Sequence, residues 1–321
     1  MSADARSAAP TPEAAARTLS DVEDDMWAAA AFVHLVSSGA LTATSLVPTT
    51  PDDHAAVPAL IAIGLVEQGE DGARPTAGLS GLLSQTGAET VAQAVLSSFR
   101  QVASLVGITP PEEDAGWGAH DDETLLAQGR ASAFGGVALA TMFVPSFEGL
   151  EERFSVGGDF LDVGVGTAAL AAAFCEHRPM ARVVGLDVLP RALELAGNTI
   201  RSAGLEERIE LRLQAVQELD DVERYDLAWL PAPFIPASVF EEALRRLHRA
   251  LRPGGWLTVG AGRFDGEPLA VAVTKWKTLR AGGTPLPAVE AMTMLPAAGF
   301  VDAVQLPTPV GAPALFAARK P

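Results

Sequence analysis

The sequence predicts an α/β protein with a mainly α-helical, winged-helix-like domain followed by a doubly wound, mainly parallel β-sheet. The length of 321 residues exceeds what one small hydrophobic core usually organises. From Gly157 onward, short apolar segments alternate with amphipathic ones, which is typical of a parallel sheet between two layers of helices. Two apolar segments near the C-terminus have no helix between them, which predicts an antiparallel edge.

Helical periodicity dominates the first half of the chain. Apolar residues recur three and four positions apart, and the pattern predicts helices over residues 14–39, 57–66, 88–106 and 123–143. The turn Glu70-Asp71-Gly72 follows the second of these helices and predicts a hairpin, as in a winged helix. A break rich in proline and acidic residues then predicts three segments: a dimerisation domain at 1–110, linker helices that cover a ligand site at 111–150, and a sheet domain at 151–321.

A winged helix can bind DNA, but the charge of this chain argues against that role. The chain has 40 acidic and 23 basic residues, a formal net charge of −17. Nucleic-acid affinity depends largely on Lys and Arg side chains that displace counterions from phosphates. We therefore expect no nucleic acid as a partner. A DNA-binding regulator remains the less favoured alternative.

The second half of the chain predicts the elements of the sheet domain. Predicted helices cover 168–176, 190–203 and 239–251. The predicted strands are 160–163, 182–186, 209–213, 227–230, 256–261, 301–306 and 314–318.

Cysteine content and the amino terminus bear on the compartment. The single cysteine, Cys175, excludes an internal disulfide framework and favours a reducing environment. The amino terminus lacks the basic-then-apolar order of a signal peptide, and no apolar run reaches the length of a membrane span. We expect a cytoplasmic protein with no membrane partner.

A glycine-rich turn follows the first predicted strand of the sheet. Asp162 ends that strand, and Gly164 and Gly166 lie in the turn before an alanine-rich helix. Glycine is needed where a ligand approaches the backbone closely or where φ is positive. The next strand ends at Asp187, where a carboxylate can accept hydrogen bonds from ribose hydroxyls. These features predict a site for an adenosine-containing cofactor.

The glycines alone fit two classes of cofactor. The pattern Gly164-x-Gly166-x-x-Ala169 satisfies a loose dinucleotide motif, and a lone match of that kind is weak. Asp162 favours a different cofactor, because a carboxylate at the end of a buried strand needs a cationic or hydrogen-bonding partner and repels a pyrophosphate. The ammonium group of a methionine moiety is such a partner. S-adenosylmethionine is therefore the expected cofactor.

These motifs resemble those of class I S-adenosylmethionine-dependent methyltransferases. The run FLDVGVGT at 160–167 is similar to the family's first motif, VGLD at 184–187 to its second strand, YDLAWL at 225–230 to its fourth strand, and LRPGGWL at 251–257 to the turn before its fifth. The resemblance covers 157–321 and implies a Rossmann-like sheet, S-adenosylhomocysteine as a product and, from small-molecule members with a helical first domain, a dimer. The implied cofactor contacts are Asp162, Gly164, Val165, Gly166, Thr167, Asp187, Val188, Gln214, Ala215, Val216 and Leu230.

Two positions depart from the family pattern. Where the family often places an acidic residue against the adenine amino group, this chain has Ala215, so that backbone groups and Gln214 or Gln217 are left to recognise adenine. Many O-methyltransferases with this architecture carry a histidine base soon after the fourth strand, and the stretch 230–236 contains none. Methyl transfer is an in-line displacement, and positioning alone can supply much of the acceleration.

Candidate acceptor residues come from two regions. His120 is the candidate catalytic base, although a lone histidine is more often a solvated residue beside a helix. Trp229, Pro231 and Phe234 border the end of the fourth strand and are candidate substrate contacts, while the alternative for Trp229 and Phe234 is a core aromatic. The spacing of His, Cys and carboxylates predicts no metal site.

The expected function is methyl transfer from S-adenosylmethionine to a small-molecule acceptor, of the kind found in secondary metabolism. The alternative is a protein of the same fold that uses the cofactor for a rearrangement, decarboxylation or pericyclic step. The missing histidine and Ala215 keep that alternative open.

Overall fold

The computed structural model describes residues 19–69, 72–106, 117–264, 267–308 and 313–321. The chain separates into two compact units, Met1–Ala92 and Gln93–Pro321. The predicted turn residues Glu70 and Asp71 lie outside the described ranges, and so does the predicted break at 108–116. The predicted three-segment division stays a prediction.

The first unit contains helices and one hairpin, as its sequence predicts. Its elements are α1 (Leu19–Ser37), α2 (Pro51–Ala62), β1 (Val66–Gly69), β2 (Gly72–Pro75) and α3 (Ala77–Thr86), and α4 (Ala88–Leu105) runs on into the second unit. The second helix begins at Pro51 because Thr50 and Asp53 form a capping box. It ends at Ala62, so the predicted end at Val66 was wrong and Val66 opens β1. A helix and a hairpin are present, and the assignment to the winged-helix class remains a prediction.

The second unit contains a seven-stranded sheet in the order β5-β4-β3-β6-β7-β9-β8. Strands β3 to β7 run parallel, and β9 lies antiparallel to both β7 and β8. The predicted doubly wound sheet with an antiparallel C-terminal edge is confirmed. The strands are β3 (Asp159–Val163), β4 (Arg182–Asp187), β5 (Ile209–Leu213), β6 (Tyr225–Pro231), β7 (Leu251–Gly260), β8 (Val301–Leu306) and β9 (Leu315–Arg319).

Helices cover both faces of this sheet. The helices are α5 (Asp122–Ala138), α6 (Leu150–Val156), α7 (Ala169–His177), α8 (Pro190–Ser202), α9 (Ala237–Ala250), α10 (Pro268–Arg280) and α11 (Ala288–Ala297). One core lies under α9 and α11, with Phe240 and Leu295 among its buried residues. The other lies under α6, α7 and α8, with Phe154 and Phe174. Because both faces are covered, the central strands read as continuous apolar runs.

The helix predicted at 123–143 changes geometry before its end. The α-helix stops at Ala138 and continues as one π-helical turn, Leu139–Phe143. The Nε and Nη2 atoms of Arg178 donate to the carbonyl oxygen of Ala140 at 2.9 and 2.7 Å. That carbonyl therefore has a side-chain partner within the widened turn. Among the described residues, no helix combines the length and apolarity needed to cross a bilayer.

Candidate cofactor and acceptor site

The strand order of the sheet reverses between β3 and β6. These two strands are neighbours, while β4 lies beyond β3 and β7 lies beyond β6. In open α/β sheets, ligands bind in the crevice at the carboxyl ends of the strands where the order reverses. The segments that leave the sheet there are residues 164–168, here called the glycine loop, and the turn Ala232–Phe234. The topology therefore places the predicted cofactor motif at the binding crevice.

The glycine loop is held against the end of β4. Gly164 and Gly166 have φ of 67° and 55°, a region that side chains disfavour. The N–H of Val165 donates to the carbonyl oxygen of Leu186 at 2.8 Å, and the N–H of Gly166 donates to Oδ2 of Asp187 at 2.9 Å. These two hydrogen bonds join the two predicted halves of the motif.

A third glycine allows the loop to lie this close to β4. A Cβ added at Gly185 would lie 2.6 Å from Cγ2 of Val165. Any larger residue there would push Val165, and with it the loop, away from the strand. The glycine in the second strand thus has a packing role in the site that its place in the sequence motif does not reveal.

Asp162 is buried without a hydrogen-bond partner for one of its oxygens. Its exposed fraction is 1%, and Oδ2 contacts no donor among the residues that the structure describes. Burial and the neighbouring charge of Asp187 raise the pKa of Asp162 to about 8. An orphaned buried carboxylate is costly in free energy unless a cation or donor meets it. The ammonium group of a methionine moiety fits this requirement.

Asp187 accepts two backbone hydrogen bonds. Its Oδ2 accepts from the N–H of Gly166, and its Oδ1 accepts from the N–H of Leu189, both at 2.9 Å. Burial raises the pKa of this carboxyl group as well. Each carboxylate oxygen has a second lone pair, so both can still accept from ribose hydroxyls.

The remaining predicted cofactor contacts are placed unequally. Val188 is exposed at the end of β4, and the N–H of Gln214 donates to the carbonyl oxygen of Asp187 at 3.0 Å. The side-chain amide of Gln214 donates to the carbonyl oxygen of Glu218 at 3.1 Å. Val216 and Leu230 are buried in the core under α9. Ala215 is half-buried beside them.

Thr167 and Trp229 fill space beside the crevice. Thr167 is buried, and a Cβ added at Gly129 of α5 would overlap its Oγ1. Trp229 lies half-buried over Gly260, where an added Cβ would be 2.5 Å from the indole ring. The ring of Pro231 lies 3.5 Å from the position of a Cβ on Gly164. This packing explains why Gly129 on α5 and Gly260 on β7 are glycines.

Trp117, which no sequence motif singled out, packs against both His120 and Phe234, two of the predicted acceptor-side residues. The ring of Trp117 lies 5.0 Å from that of His120 and 5.2 Å from that of Phe234, the second pair in an edge-to-face arrangement. Edge-to-face packing is a favourable geometry for aromatic rings. The only hint in the sequence was the position of Trp117 three residues before His120.

The two polar atoms of this aromatic group lack partners. Nε1 of Trp117 and Nδ1 of His120 are buried and hydrogen-bond to nothing in the part of the chain that the structure describes. Burial lowers the pKa of His120, the charge of Asp121 raises it, and the charge of Arg280 lowers it further. The pKa of His120 is therefore lower than the ordinary value of 6.5, and the imidazole is neutral at pH 7.

The segment that follows α10 is hydrogen-bonded to the turn Ala232–Phe234 and the residue after it. The N–H of Thr284 donates to the carbonyl oxygen of Ala232 at 2.9 Å, and its Oγ1 donates to that of Ile235 at 2.7 Å. A Cβ added at Gly283 would overlap the carbonyl oxygen of Pro233. Helix α10 was not predicted, because Val271 and Val273 are β-branched and alternate with alanine, a pattern closer to a strand.

Comparison with known proteins agrees with this geometry. A family model described as a methyltransferase domain matches residues 160–255. The methyltransferase GfsG of Streptomyces halstedii is 35% identical over 117 residues, which cover 35% of this chain and 41% of that protein. The chain thus spans less than half the length of this curated relative. Residues 160–255 of this chain thus carry a methyltransferase domain.

Solved structures show the same fold over most of the chain. Human N-acetylserotonin methyltransferase in complex with S-adenosylmethionine is similar at a TM-score of 0.63 and 18% identity, over 98% of this chain and 99% of that one. The mitomycin 7-O-methyltransferase MmcR is similar at a TM-score of 0.58 and 20% identity, over 95% of this chain and 97% of that one. The methyltransferase domain and its helical first unit are thus found together in other proteins.

The residues of this methyltransferase domain fit S-adenosylmethionine. The orphaned Oδ2 of Asp162 suits a cationic ligand, and Asp187 suits a diol. Within the described ranges, no group of three or more His, Cys, Asp or Glu residues is placed to hold a metal ion.

Proposed function

We propose that this protein transfers the methyl group of S-adenosylmethionine to a small organic acceptor. The observation that carries the proposal is the buried Oδ2 of Asp162, which lies near the end of β3 beside the glycine loop and has no hydrogen-bond partner in the described ranges. A carboxylate in that position needs a cation, and a dinucleotide pyrophosphate would be repelled by it. The site residues therefore support the cofactor that the domain family uses.

Each cofactor residue has a separate role in this proposal. Asp162 holds the ammonium group, and Asp187 accepts from the ribose hydroxyls. The backbone of Gly164, Val165 and Gly166 approaches the cofactor closely because no side chain intervenes there. Val188 and the segment 214–216 border the adenine, with Val216 contributing only its backbone. S-adenosylmethionine supplies an electrophilic methyl group on a cationic sulfur.

The acceptor side acts by positioning and by proton acceptance. Trp117 and Phe234 form an apolar wall that orients the acceptor and excludes water, and Trp229 and Pro231 border the same crevice. Holding the nucleophile in line with the methyl group supplies much of the rate acceleration. His120 is the base in this proposal, because its lowered pKa keeps the imidazole neutral and its Nδ1 has no partner within the described part of the chain.

The acceptor is a small molecule in this proposal. The structural relatives are named for N-acetylserotonin and for mitomycin, and the second name specifies oxygen as the methylated atom. The net charge of −17 disfavours nucleic acid as the acceptor. O-methylation of an ionisable hydroxyl group is the reaction that a neutral histidine suits.

We also propose that the chain forms a dimer through its first unit and acts in the cytoplasm. Trp27, Met26 and Val22 of α1 are 70%, 50% and 48% exposed. Large apolar side chains that cluster on one helix are typical of a protein interface. The proposed cytoplasmic location rests on the single cysteine, Cys175, which favours a reducing environment.

Methyl incorporation from labelled cofactor tests the function. The purified chain is incubated with methyl-labelled S-adenosylmethionine and a library of small hydroxylated molecules, with Asp162→Asn as the control. We expect label in an organic product with the native chain and at least a tenfold lower rate in the variant. Consumption of an acceptor without label in the product would favour the rearrangement or decarboxylation alternative instead.

A further inference from the structure

The end of α10 adds a positive charge to the acceptor side of the site. Residues Pro268–Arg280 contain Lys275, Lys277 and Arg280 and no acidic residue, although the whole chain carries a net charge of −17. Arg280 is exposed and has no ion-pair partner in the described part of the chain. A local cationic surface on a strongly acidic protein is the opposite of what its overall charge leads one to expect.

The fold brings this charge to the aromatic group. Thr284 and Gly283, which follow α10 directly, are held against the turn that contains Phe234. Phe234 packs on Trp117, which in turn contacts His120. The charge of Arg280 acts on the imidazole of His120. Arg280 lies three residues before Gly283, so the end of α10 that carries it is beside the turn that contains Phe234.

We propose that the acceptor is an aromatic carboxylate whose carboxylate group is held by Arg280 while its ring packs against Trp117 and Phe234. The inference rests on the proposed function and specifies its substrate class. Buried donors without partners cost free energy, and Nε1 of Trp117 is such a donor. A carboxylate provides several acceptor positions for a guanidinium and an indole N–H together.

One carboxylate already lies near this group, and it is engaged elsewhere. Asp121 is the N-cap of α5, and its Oδ1 accepts from the N–H of Thr124 at 2.7 Å. Its negative charge is offset by the positive end of the helix dipole and by the charge of Arg100. Asp121 therefore does not replace the ligand carboxylate as the partner of Arg280.

Matched ligand pairs test this inference. Calorimetric titration of the protein loaded with S-adenosylhomocysteine compares 3,4-dihydroxybenzoate with 3,4-dihydroxybenzamide, and 1-naphthoate with 1-naphthamide. The variants are Arg280→Gln and, as the control, Lys275→Gln, which removes a charge about 140° away around the same helix. We expect at least one carboxylate to bind about tenfold more tightly than its amide in the native chain and the control. That preference should fall below about threefold in Arg280→Gln.

Three results would overturn the inference. They are equal binding of each acid and its amide, a preference for the acid that survives Arg280→Gln, and no binding of any of the four ligands. Methyl incorporation into a neutral acceptor alongside any of these would leave the proposed function intact. Failure of the native chain to bind S-adenosylhomocysteine would instead contradict the proposed function itself, and the substrate class with it.

Discussion

Asp162 is the residue whose surroundings say most about the ligand. Its sequence position at the end of an apolar strand predicted a buried carboxylate, and one of its oxygens has no partner among the described residues. Asp187 was equally predictable, because it follows the next strand of the motif. Trp117 and Arg280 were not, because their closeness to His120 depends on how α10 and the turn at 117–119 fold back on the sheet.

The raised pKa of Asp162 predicts a pH-dependent stability in the absence of ligand. Its folded-state pKa of about 8 exceeds the ordinary value of 3.8, so the folded chain binds more protons than the unfolded chain between these values. The contribution of Asp162 to stability is therefore full below pH 4 and declines as the pH rises through 8. Urea unfolding at pH 5, 7 and 9 should show the native chain losing stability relative to Asp162→Asn. Parallel curves for the two proteins would contradict this prediction.

Asp187 predicts a loss of cofactor affinity without a loss of fold. Asp187→Asn keeps one oxygen for a backbone donor but replaces the other with an amide that cannot accept from Gly166 or from a ribose hydroxyl. We expect the dissociation constant for S-adenosylhomocysteine to rise about tenfold or more. Asp24→Asn on α1 is the matched control, since Asp24 is exposed there. Unchanged affinity in Asp187→Asn would rule out its assigned role.

Among the elements, the strands were the easiest to predict and the connections the hardest. Strands β5 and β8 match their predicted bounds. In β5, apolar residues alternate with charged ones, a pattern typical of a strand. Helices α10 and α11 were not predicted, and the π turn after α5 depends on Arg178, which lies 38 residues from the carbonyl it contacts. Long-range contacts of this kind leave no local pattern.

Two adjacent glycines on α5 predict opposite effects of the same substitution. A Cβ on Gly136 would overlap the backbone oxygen of Leu170 on α7, which cannot move aside. A Cβ on Gly135 would lie 3.3 Å from Cδ1 of the same leucine, which can. Gly136→Ala should therefore lower the free energy of unfolding by about 1–3 kcal/mol. Gly135→Ala should change it by less than about 1 kcal/mol, with helix propensity in its favour. Urea unfolding of the pair measures both, and equal effects would contradict the packing described for α5 and α7.

At the scale of the whole molecule, fold class and cofactor class followed from the sequence while the acceptor did not. The glycine loop and the strand order both point to the same cofactor. Both follow from the regular alternation of strands and helices in the second half of the sequence. The acceptor side that we propose combines three separated segments, around Trp117, Phe234 and Arg280. No spacing in the sequence links them.

The exposed residues of α1 predict the oligomeric state. Trp27 is 70% exposed, so its replacement should leave the first unit folded while removing a large apolar contact from a dimer. Sedimentation analysis over a concentration series should show a dimer for the native chain. Trp27→Gln should weaken its association at least about tenfold, and Val47→Gln, 59% exposed outside α1, should not. A monomeric native chain would contradict the prediction.

Calorimetric titration with S-adenosylmethionine near pH 7, in buffers of different ionisation enthalpy, tests the central claim most directly. We predict one bound cofactor per chain and release of protons on binding, because the cation shifts Asp162 from its largely protonated state to the carboxylate. Asp162→Asn should bind at least about tenfold more weakly and release fewer protons. No binding by the native chain, or equal affinity and equal proton release in the variant, would contradict the account.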